Sequence, residues 1–186
     1  TVTAFTIDTQ APTVGEVTPV ASLTNDNTPN YTFSSTEAGT ITYSGACLSV
    51  TGSASSGSNT VTFNTLTDGV HSNCSVKVTD SAGNQSNTLM VSSFTVDTIT
   101  PVLEVVAEVT PDPTTDMTPA FTFSSTEAGV ISYNADCPNP SPSEGATISS
   151  GNNEVVFNPG SIGIFSNCQI TVTDSANNVS AALDVD

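Results

Sequence analysis

Phe33-Ser34-Ser35-Thr36-Glu37-Ala38-Gly39 and Phe123-Ser124-Ser125-Thr126-Glu127-Ala128-Gly129 are one heptad written twice, ninety positions apart. The same words surround each copy in the same order. Asp8 to Pro12 and Asp97 to Pro101 read Asp-Thr-x-x-Pro, and Thr-Pro pairs follow at Thr28-Pro29 and Thr118-Pro119. After the heptad come a Tyr and a Cys four residues apart, Tyr43 with Cys47 and Tyr133 with Cys137. A second Cys, Cys74 or Cys168, then precedes Val-Thr-Asp-Ser-Ala-x-Asn, at Val78 to Asn84 and Val172 to Asn178. Self-similarity in fixed order at this period indicates two tandem copies of one domain.

The boundaries follow from the junction words. Residues 8–96 are read as repeat 1 and residues 97–186 as repeat 2. Phe5-Thr6-Ile7-Asp8 matches Phe94-Thr95-Val96-Asp97, so residues 1–7 read as the last strand of a preceding repeat, or as a donor strand. Leu183-Asp184-Val185-Asp186 is taken as the same closing pattern. Aligning Asp8, Asp97 and Asp186 spaces the junctions 89 residues apart. With no apolar leader at its start, the sequence is expected to be part of a larger secreted protein.

Only 10% of the 186 residues are charged, against roughly 25% in an ordinary domain. Ser, Thr and Asn carry the polarity instead, which suits strands and turns better than helices. No segment has an apolar stripe at helical spacing, and none is long enough to insert in a membrane as a helix. One basic residue stands against eighteen acidic ones, for a formal net charge of −17. Such a chain repels phosphate backbones and anionic lipid, so nucleic-acid and membrane-surface partners are excluded.

Short alternating runs separated by turn signals predict about seven strands per copy. In repeat 1 they are A (14–20), B (30–34), C (40–43), an edge piece D within 48–58, E (60–63), F (72–79) and G (89–96). Repeat 2 matches, with a longer loop after Cys137 and a shorter F–G region. Antiparallel strands of this number and length define an all-β fold of two tandem immunoglobulin-like β-sandwiches. The buried Trp usual in that fold is missing. C and F are antiparallel neighbours in this topology, which makes Cys47–Cys74 and Cys137–Cys168 reasonable bridges, one per domain. Paired Cys without C-x-x-C spacing, in a chain with one His, point to an oxidising extracellular setting rather than to zinc.

Asp-Thr-x-x-Pro, Asn25-Asp26-Asn27-Thr28-Pro29, Ser-Ser-Thr-Glu-Ala-Gly and Val-Thr-Asp-Ser-Ala-Gly-Asn together resemble the bacterial Ig-like tandem repeats of large extracellular adhesins and surface proteins. The resemblance runs from Asp8 onward. It implies a module that extends a functional end away from the cell, with calcium at some domain junctions. Repeat 2 departs from the pattern at Asn177, where repeat 1 has Gly83, and at Asp116-Met117-Thr118-Pro119.

Enzyme chemistry finds no duplicated support. His71 aligns with Phe165 and reads as a core or rim residue. Lys77, between Val76 and Val78, is expected to face solvent, which argues against a Lys–Asn cross-link. Tyr43 and Tyr133 are assigned inward, leaving no aromatic platform for a sugar. No phosphate loop or nucleophile elbow occurs. Sequons at Asn30, Asn84 and Asn178 are open to glycosylation in a suitable host.

The acidic residues form the one candidate constellation. The B–C and F–G loops share an end with the start of strand A, which groups Asp8, Glu37 and Asp80 in repeat 1 and Asp97, Glu127 and Asp174 in repeat 2. Asp26 and Asp68, on the A–B and E–F turns, are expected to face the second group. Carboxylates and carbonyls at this density match the oxygen demands of Ca²⁺, and Asp and Asn also cap turns without any ion. The functional expectation is a non-enzymatic extender of a secreted or cell-surface adhesin, a rod of stacked repeats. The alternative is an extracellular filament or surface-layer subunit completed by strand exchange through residues 1–7. Partners are then neighbouring repeats or other copies of the chain; the sequence names no adhesion ligand.

Overall fold

The structure is a computed structural model that describes residues 3–109, 112, 114–160 and 166–185. The chain divides into two compact units, Thr1–Thr98 and Ile99–Asp186. All regular structure among the described residues is strand.

Unit 1 holds β1 (Val14–Thr18), β2 (Leu23–Thr24), β3 (Asn30–Ser35), β4 (Gly39–Ser44), β5 (Ser53–Ala54), β6 (Gly57–Thr62), β7 (Gly69–His71), β8 (Ser75–Thr79), β9 (Leu89–Met90) and β10 (Phe94–Val96). One sheet runs β1-β3-β6, a second β5-β4-β8-β9 and a third β2-β10-β7. Period-two alternation decides which residues go inside. Tyr31, Phe33 and Ser35 of β3 are buried, as are Val76 and Val78 of β8. Tyr31 stacks on Phe63 at 5.7 Å and on Phe33 at 6.3 Å between ring centroids. These rings, with Val61, Leu66 and Phe94, make the core.

The strands C and F of the sequence reading are antiparallel neighbours, with Thr40 opposite Thr79 and Ser44 opposite Ser75. Cys47 and Cys74 are bonded across this pair, their Cα atoms 5.3 Å apart. Both lie just outside the strands rather than on them, since β4 ends at Ser44 and β8 begins at Ser75.

Strand G differs from the sequence expectation, because it divides into β9 and β10, while F is β8 and the unexpected β7 lies just ahead of it. β9 stays beside β8, whereas β10 leaves that sheet to pair antiparallel with β7 and parallel with β2. The change of sheet falls at Val91 and Ser92. Val91 N–H donates to the Cys74 carbonyl at 3.0 Å, and Ser92 is then held by Glu16.

Residues 3–7 form no strand within this chain. A strand needs an open edge. The two edges that Phe94–Val96 uses in unit 1, β2 and β7, are already taken by Phe94–Val96 itself. Thr1 and Val2 lie outside the described residues.

Unit 2 holds β11 (Leu103–Ala107), β12 (Ala120–Ser125), β13 (Gly129–Tyr133), β14 (Pro140–Ser141), β15 (Thr147–Ile148), β16 (Gly151–Phe157), β17 (Gln169–Thr173) and β18 (Leu183–Asp184). Its sheets run β11-β12-β16-β14 and β15-β13-β17-β18. Phe121, Phe123, Ile131, Val155, Ile170 and Val172 are buried between them. Cys137 and Cys168 form the second bridge, with Cα atoms 4.5 Å apart. The longer loop after Cys137 supplies β14, an edge strand on β16 with no counterpart in unit 1.

Pairing corrects the alignment of the closing segment. Leu183 faces Ile170 on β17 as Leu89 faces Val76 on β8, and Val185 N–H reaches the Cys168 carbonyl as Val91 reaches that of Cys74. Leu183–Asp184 is therefore the counterpart of Leu89–Met90, not of Phe94–Val96. The F–G region is not shortened in repeat 2 either: Thr173 bridges Val179 as Thr79 bridges Gln85. Asp186 lies outside the described residues.

Candidate functional site

The heptad positions its glutamate by a hydrogen-bonded turn. Ser35 Oγ donates to the Glu37 carbonyl at 2.6 Å, and Ser125 Oγ to the Glu127 carbonyl at 2.6 Å. Gly39 and Gly129 then start β4 and β13. A Cβ at either would collide with the carbonyl oxygen of Thr79 or Thr173 on the neighbouring strand. This close approach sets Glu37 beside the turn that follows β8.

That turn is built on Asp80. One of its carboxylate oxygens accepts from Ala82 N–H and Asn84 N–H, both at 2.8 Å, and the other from Asn84 Nδ2 at 2.8 Å. The Asn84 side chain, with the backbone N–H groups of 82–84, holds the Asp80 carboxyl below the usual carboxylate range, against the opposing effect of burial. Asp174 makes the same set with Ala176 N–H at 2.7 Å, Asn178 N–H at 2.9 Å and Asn178 Nδ2 at 2.8 Å. The repeated Asp-Ser-Ala-x-Asn is thus a turn in which Asp caps backbone and Asn locks Asp. Gly83 and Asn177, the positions where the repeats differ, both have positive φ, 95° and 72°. Asn tolerates that region better than other side-chain-bearing residues, so the departure keeps the turn.

Asp8 reaches the first turn from the linker: its carbonyl accepts from Asn84 Nδ2 at 3.2 Å, and its carboxylate caps Gln10 N–H at 3.0 Å. Carboxylate oxygens of Asp8, Glu37 and Asp80 lie within 4.8 Å of one another. In unit 2, those of Glu127 and Asp174 lie within the same distance. Asp97, which ends the linker side of unit 1, donates its N–H to the Thr24 carbonyl at 2.9 Å.

Asp26 and Asp68 are placed differently. Asp26 accepts from the N–H and hydroxyl of Thr28 at 2.8 and 3.0 Å, and Asp68 from the same groups of Thr98 at 2.9 and 3.0 Å. Neither belongs to the Asp8 group. Asp116 repeats the Asp26 turn with Thr118.

The remaining polar candidates serve the fold. His71 is buried, its Nε2 2.9 Å from the Thr67 carbonyl and its ring 5.3 Å from that of Phe94. Its aligned residue, Phe165, lies outside the described residues. Lys77 sits half-exposed on β8. Tyr43 and Tyr133 are half-buried against the cores, and their hydroxyls donate to the carbonyls of Thr51 and Pro142, each at 2.8 Å. An open depression beside Tyr133 is lined by Asn139, Ser143 and Glu144, but Glu144 is engaged by Tyr133 N–H at 2.7 Å.

Two arrangements escaped sequence reasoning. Asn59 closes a turn with Ser55 and Gly57, and Asn153 repeats it with Ser149 and Gly151; the shared Asn was the available signal. The Tyr31 hydroxyl is fully buried and makes no hydrogen bond, and the Glu16 carboxylate acts on it through charge. Burial first, and the Glu16 charge second, keep the Tyr31 hydroxyl from ionising until well above its ordinary pKa.

Two sandwiches with the same capped turns and the same bridge define a tandem immunoglobulin-like module. The family model of the bacterial Ig-like domain matches residues 1–98, over half of the chain, and the chain belongs to that family. No curated protein matches it. Among solved structures it is similar to one described as fibronectin(III)-like modules of CbhA from Clostridium thermocellum. The identity is 12%, over 92% of this chain and 90% of that one, with a TM-score of 0.41.

Proposed function

We propose that the chain is a non-enzymatic extender module of a secreted or cell-surface adhesin. One observation carries this reading: the side chains that recur in both units are spent on holding turns. Ser35 and Ser125, Tyr43 and Tyr133, Asn59 and Asn153, and Asp80 and Asp174 each bond the backbone next to them in matching ways. Duplicated chemistry directed inward favours cohesion over turnover. The disulfides suit an oxidising exterior. Pulling single molecules from both ends tests the reading: two separate unfolding steps are expected, one per unit, and a single low-force extension without steps would overturn it.

Calcium is part of the proposal. The Asp8, Glu37 and Asp80 carboxylates supply hard oxygen ligands, and Asp97, Glu127 and Asp174 repeat them in the sequence. Calorimetry should show a higher melting temperature in Ca²⁺ than in EDTA, with a smaller gain in Glu37→Gln. Identical traces would leave these groups as turn caps alone.

A second reading, self-assembly into a filament through strand exchange by residues 1–7, is favoured by Phe5 and Ile7. They are 77% and 78% exposed within this chain.

A further inference from the structure

We infer that unit 1 pairs laterally with unit 1 of a second copy of this chain, edge to edge through β6. The contact uses neither residues 1–7 nor the extender role, and it goes beyond both readings above. Backbone direction makes the edge. Phe63 N–H donates to the Pro29 carbonyl at 3.1 Å, and β6 is antiparallel to β3 with Val61 opposite Tyr31 and Asn59 opposite Phe33. Backbone groups alternate in direction along a strand, so Gly57, Asn59 and Val61 turn theirs to β3. Ser58, Thr60 and Thr62 turn theirs away. β6 ends its sheet, and among the described residues none bonds these outward groups.

Unit 2 closes the same edge in two ways. Phe157 N–H donates to the Pro119 carbonyl as Phe63 does to that of Pro29, so Val156 is the counterpart of Thr62 and Glu154 that of Thr60. Ser141 of β14 pairs with Val156, and Glu154 sets an exposed charge on the edge. A short covering strand and a charge are both means of keeping an edge from adding a further strand. β6 has neither, and β14 demonstrates that a strand fits on this side of the sandwich.

The occupant follows from charge and register. Copies of a chain with a formal charge of −17 repel wherever carboxylates face each other. Ala38 to Thr67 contains no charged residue, and neither does Asn27 to Thr36, so β3, β6 and the chain leading into β6 are neutral. The stretch of unit 2 that matches β6 and its approach holds Asp136, Glu144 and Glu154. Two unit 1 edges therefore meet without opposing charges.

A two-fold axis at Thr60 uses every outward residue. Thr60 exchanges both N–H···O=C bonds with Thr60 of the second copy, and Ser58 does so with its Thr62. The side chains set opposite each other are then all hydroxyls, a favourable cross-strand combination that Thr32 and Thr60 already make at 2.9 Å. The pairing ends by itself. Asn64 N–H, the next outward donor, is taken by the Leu48 carbonyl at 2.7 Å. The joined sheet runs β1-β3-β6-β6-β3-β1, and the contact is isologous, so it closes at two copies.

Sedimentation velocity on the 186-residue chain at low and high ionic strength is the test, with amide exchange as a second readout. A dimer that forms with concentration and strengthens as salt screens the repulsion is expected. In it the N–H groups of Ser58, Thr60 and Thr62 exchange more slowly than in the monomer. Those of Asn59 and Val61, bonded to β3, are slow in both. Thr60→Glu copies the residue of unit 2 and should weaken the dimer roughly fivefold, by setting like charges opposite each other. Thr60→Pro removes an N–H that the monomer does not use and should weaken it about tenfold or more. Phe5→Asp/Ile7→Asp should dimerise like the parent chain. A chain that stays monomeric at every concentration in high salt overturns the contact. So does a dimer that both Thr60 variants leave unchanged, or one in which the three outward amides gain no protection. A ladder of oligomers lost in Phe5→Asp/Ile7→Asp would support strand exchange through residues 1–7 and overturn lateral pairing.

Discussion

Glu16 holds Ser92 with both carboxylate oxygens, one accepting from Ser92 N–H at 3.0 Å and the other from Ser92 Oγ at 2.5 Å. The contact ties edge strand β1 to the point where the chain crosses from β9 to β10. Val105 takes the register position of Glu16 in unit 2, opposite Phe123 as Glu16 is opposite Phe33. The clamp therefore belongs to unit 1.

Burial pushes the Glu16 carboxyl up, but the Ser92 hydroxyl and N–H outweigh it and leave it below the ordinary value. A depressed carboxyl stabilises the fold above its unfolded pKa of about 4.3 and loses that effect as pH falls through the lower folded value. Glu16→Gln should cost about 1 kcal/mol at neutral pH, a figure discounted for solvent screening. Urea melts of the two proteins should converge as the pH is lowered below about 4. A gap that stays constant with pH would mean that the charge contributes nothing.

Reducing either bridge should weaken its own unit. Cys47–Cys74 spans 27 residues and Cys137–Cys168 spans 31. In the chain-entropy account each closed loop stabilises by about 3–4 kcal/mol. For a unit of this size, Cys47→Ala/Cys74→Ala should lower the melting temperature by roughly 15–25 °C. The transition of the other unit should stay in place, which calorimetry resolves.

Gly39→Ala and Gly129→Ala should each destabilise by about 1–3 kcal/mol, because the new methyl meets backbone rather than a movable side chain. Gly57→Ala provides the contrast. Its site is open, so only the positive φ of 103° penalises it. Denaturant midpoints for the three variants would separate crowding from backbone conformation.

Alkaline conditions should unfold the protein through its tyrosines. Burial raises the hydroxyl pKa of Tyr31, Tyr43 and Tyr133, aided at Tyr31 by Glu16 and at Tyr133 by Glu144. Stability is complete below the unfolded pKa of about 10 and falls as pH rises beyond it, where only the unfolded chain ionises freely. Phenolate absorbance should therefore lag behind a free tyrosine and then rise together with the loss of structure. In Tyr31→Phe, which copies Phe121 of unit 2, that rise should shift to higher pH.

The duplicated heptad, the alternation in strands B, C and F, and the cysteine spacing made the sandwich and its bridges legible in the sequence. Position along a strand was harder to read. Leu89–Met90 and Phe94–Val96 look like one apolar run, and only distant partners, the Cys74 carbonyl and Glu16, decide where it breaks. Leu183-Asp184-Val185-Asp186 was misaligned because Val-Asp closes it as Val96-Asp97 closes β10, although the Phe is missing. The grouping of Asp8, Glu37 and Asp80 was visible from loop topology. For Asp26 and Asp68 the sequence leaves turn capping and ion binding both open, since the two roles use the same residue types.

Lys77 is the single basic side chain in the polypeptide, and it lies on β8, which runs between β4 and β9. A trypsin-like protease thus has one bond to attack, and reaching it requires prising apart the middle of a sheet, an opening that draws on much of the stability of unit 1. The folded chain should pass through such digestion whole. The same scarcity leaves amine-directed labels and fixatives Lys77 alone among the side chains of these 186 residues. Against such proteases, withholding cations is a form of armour.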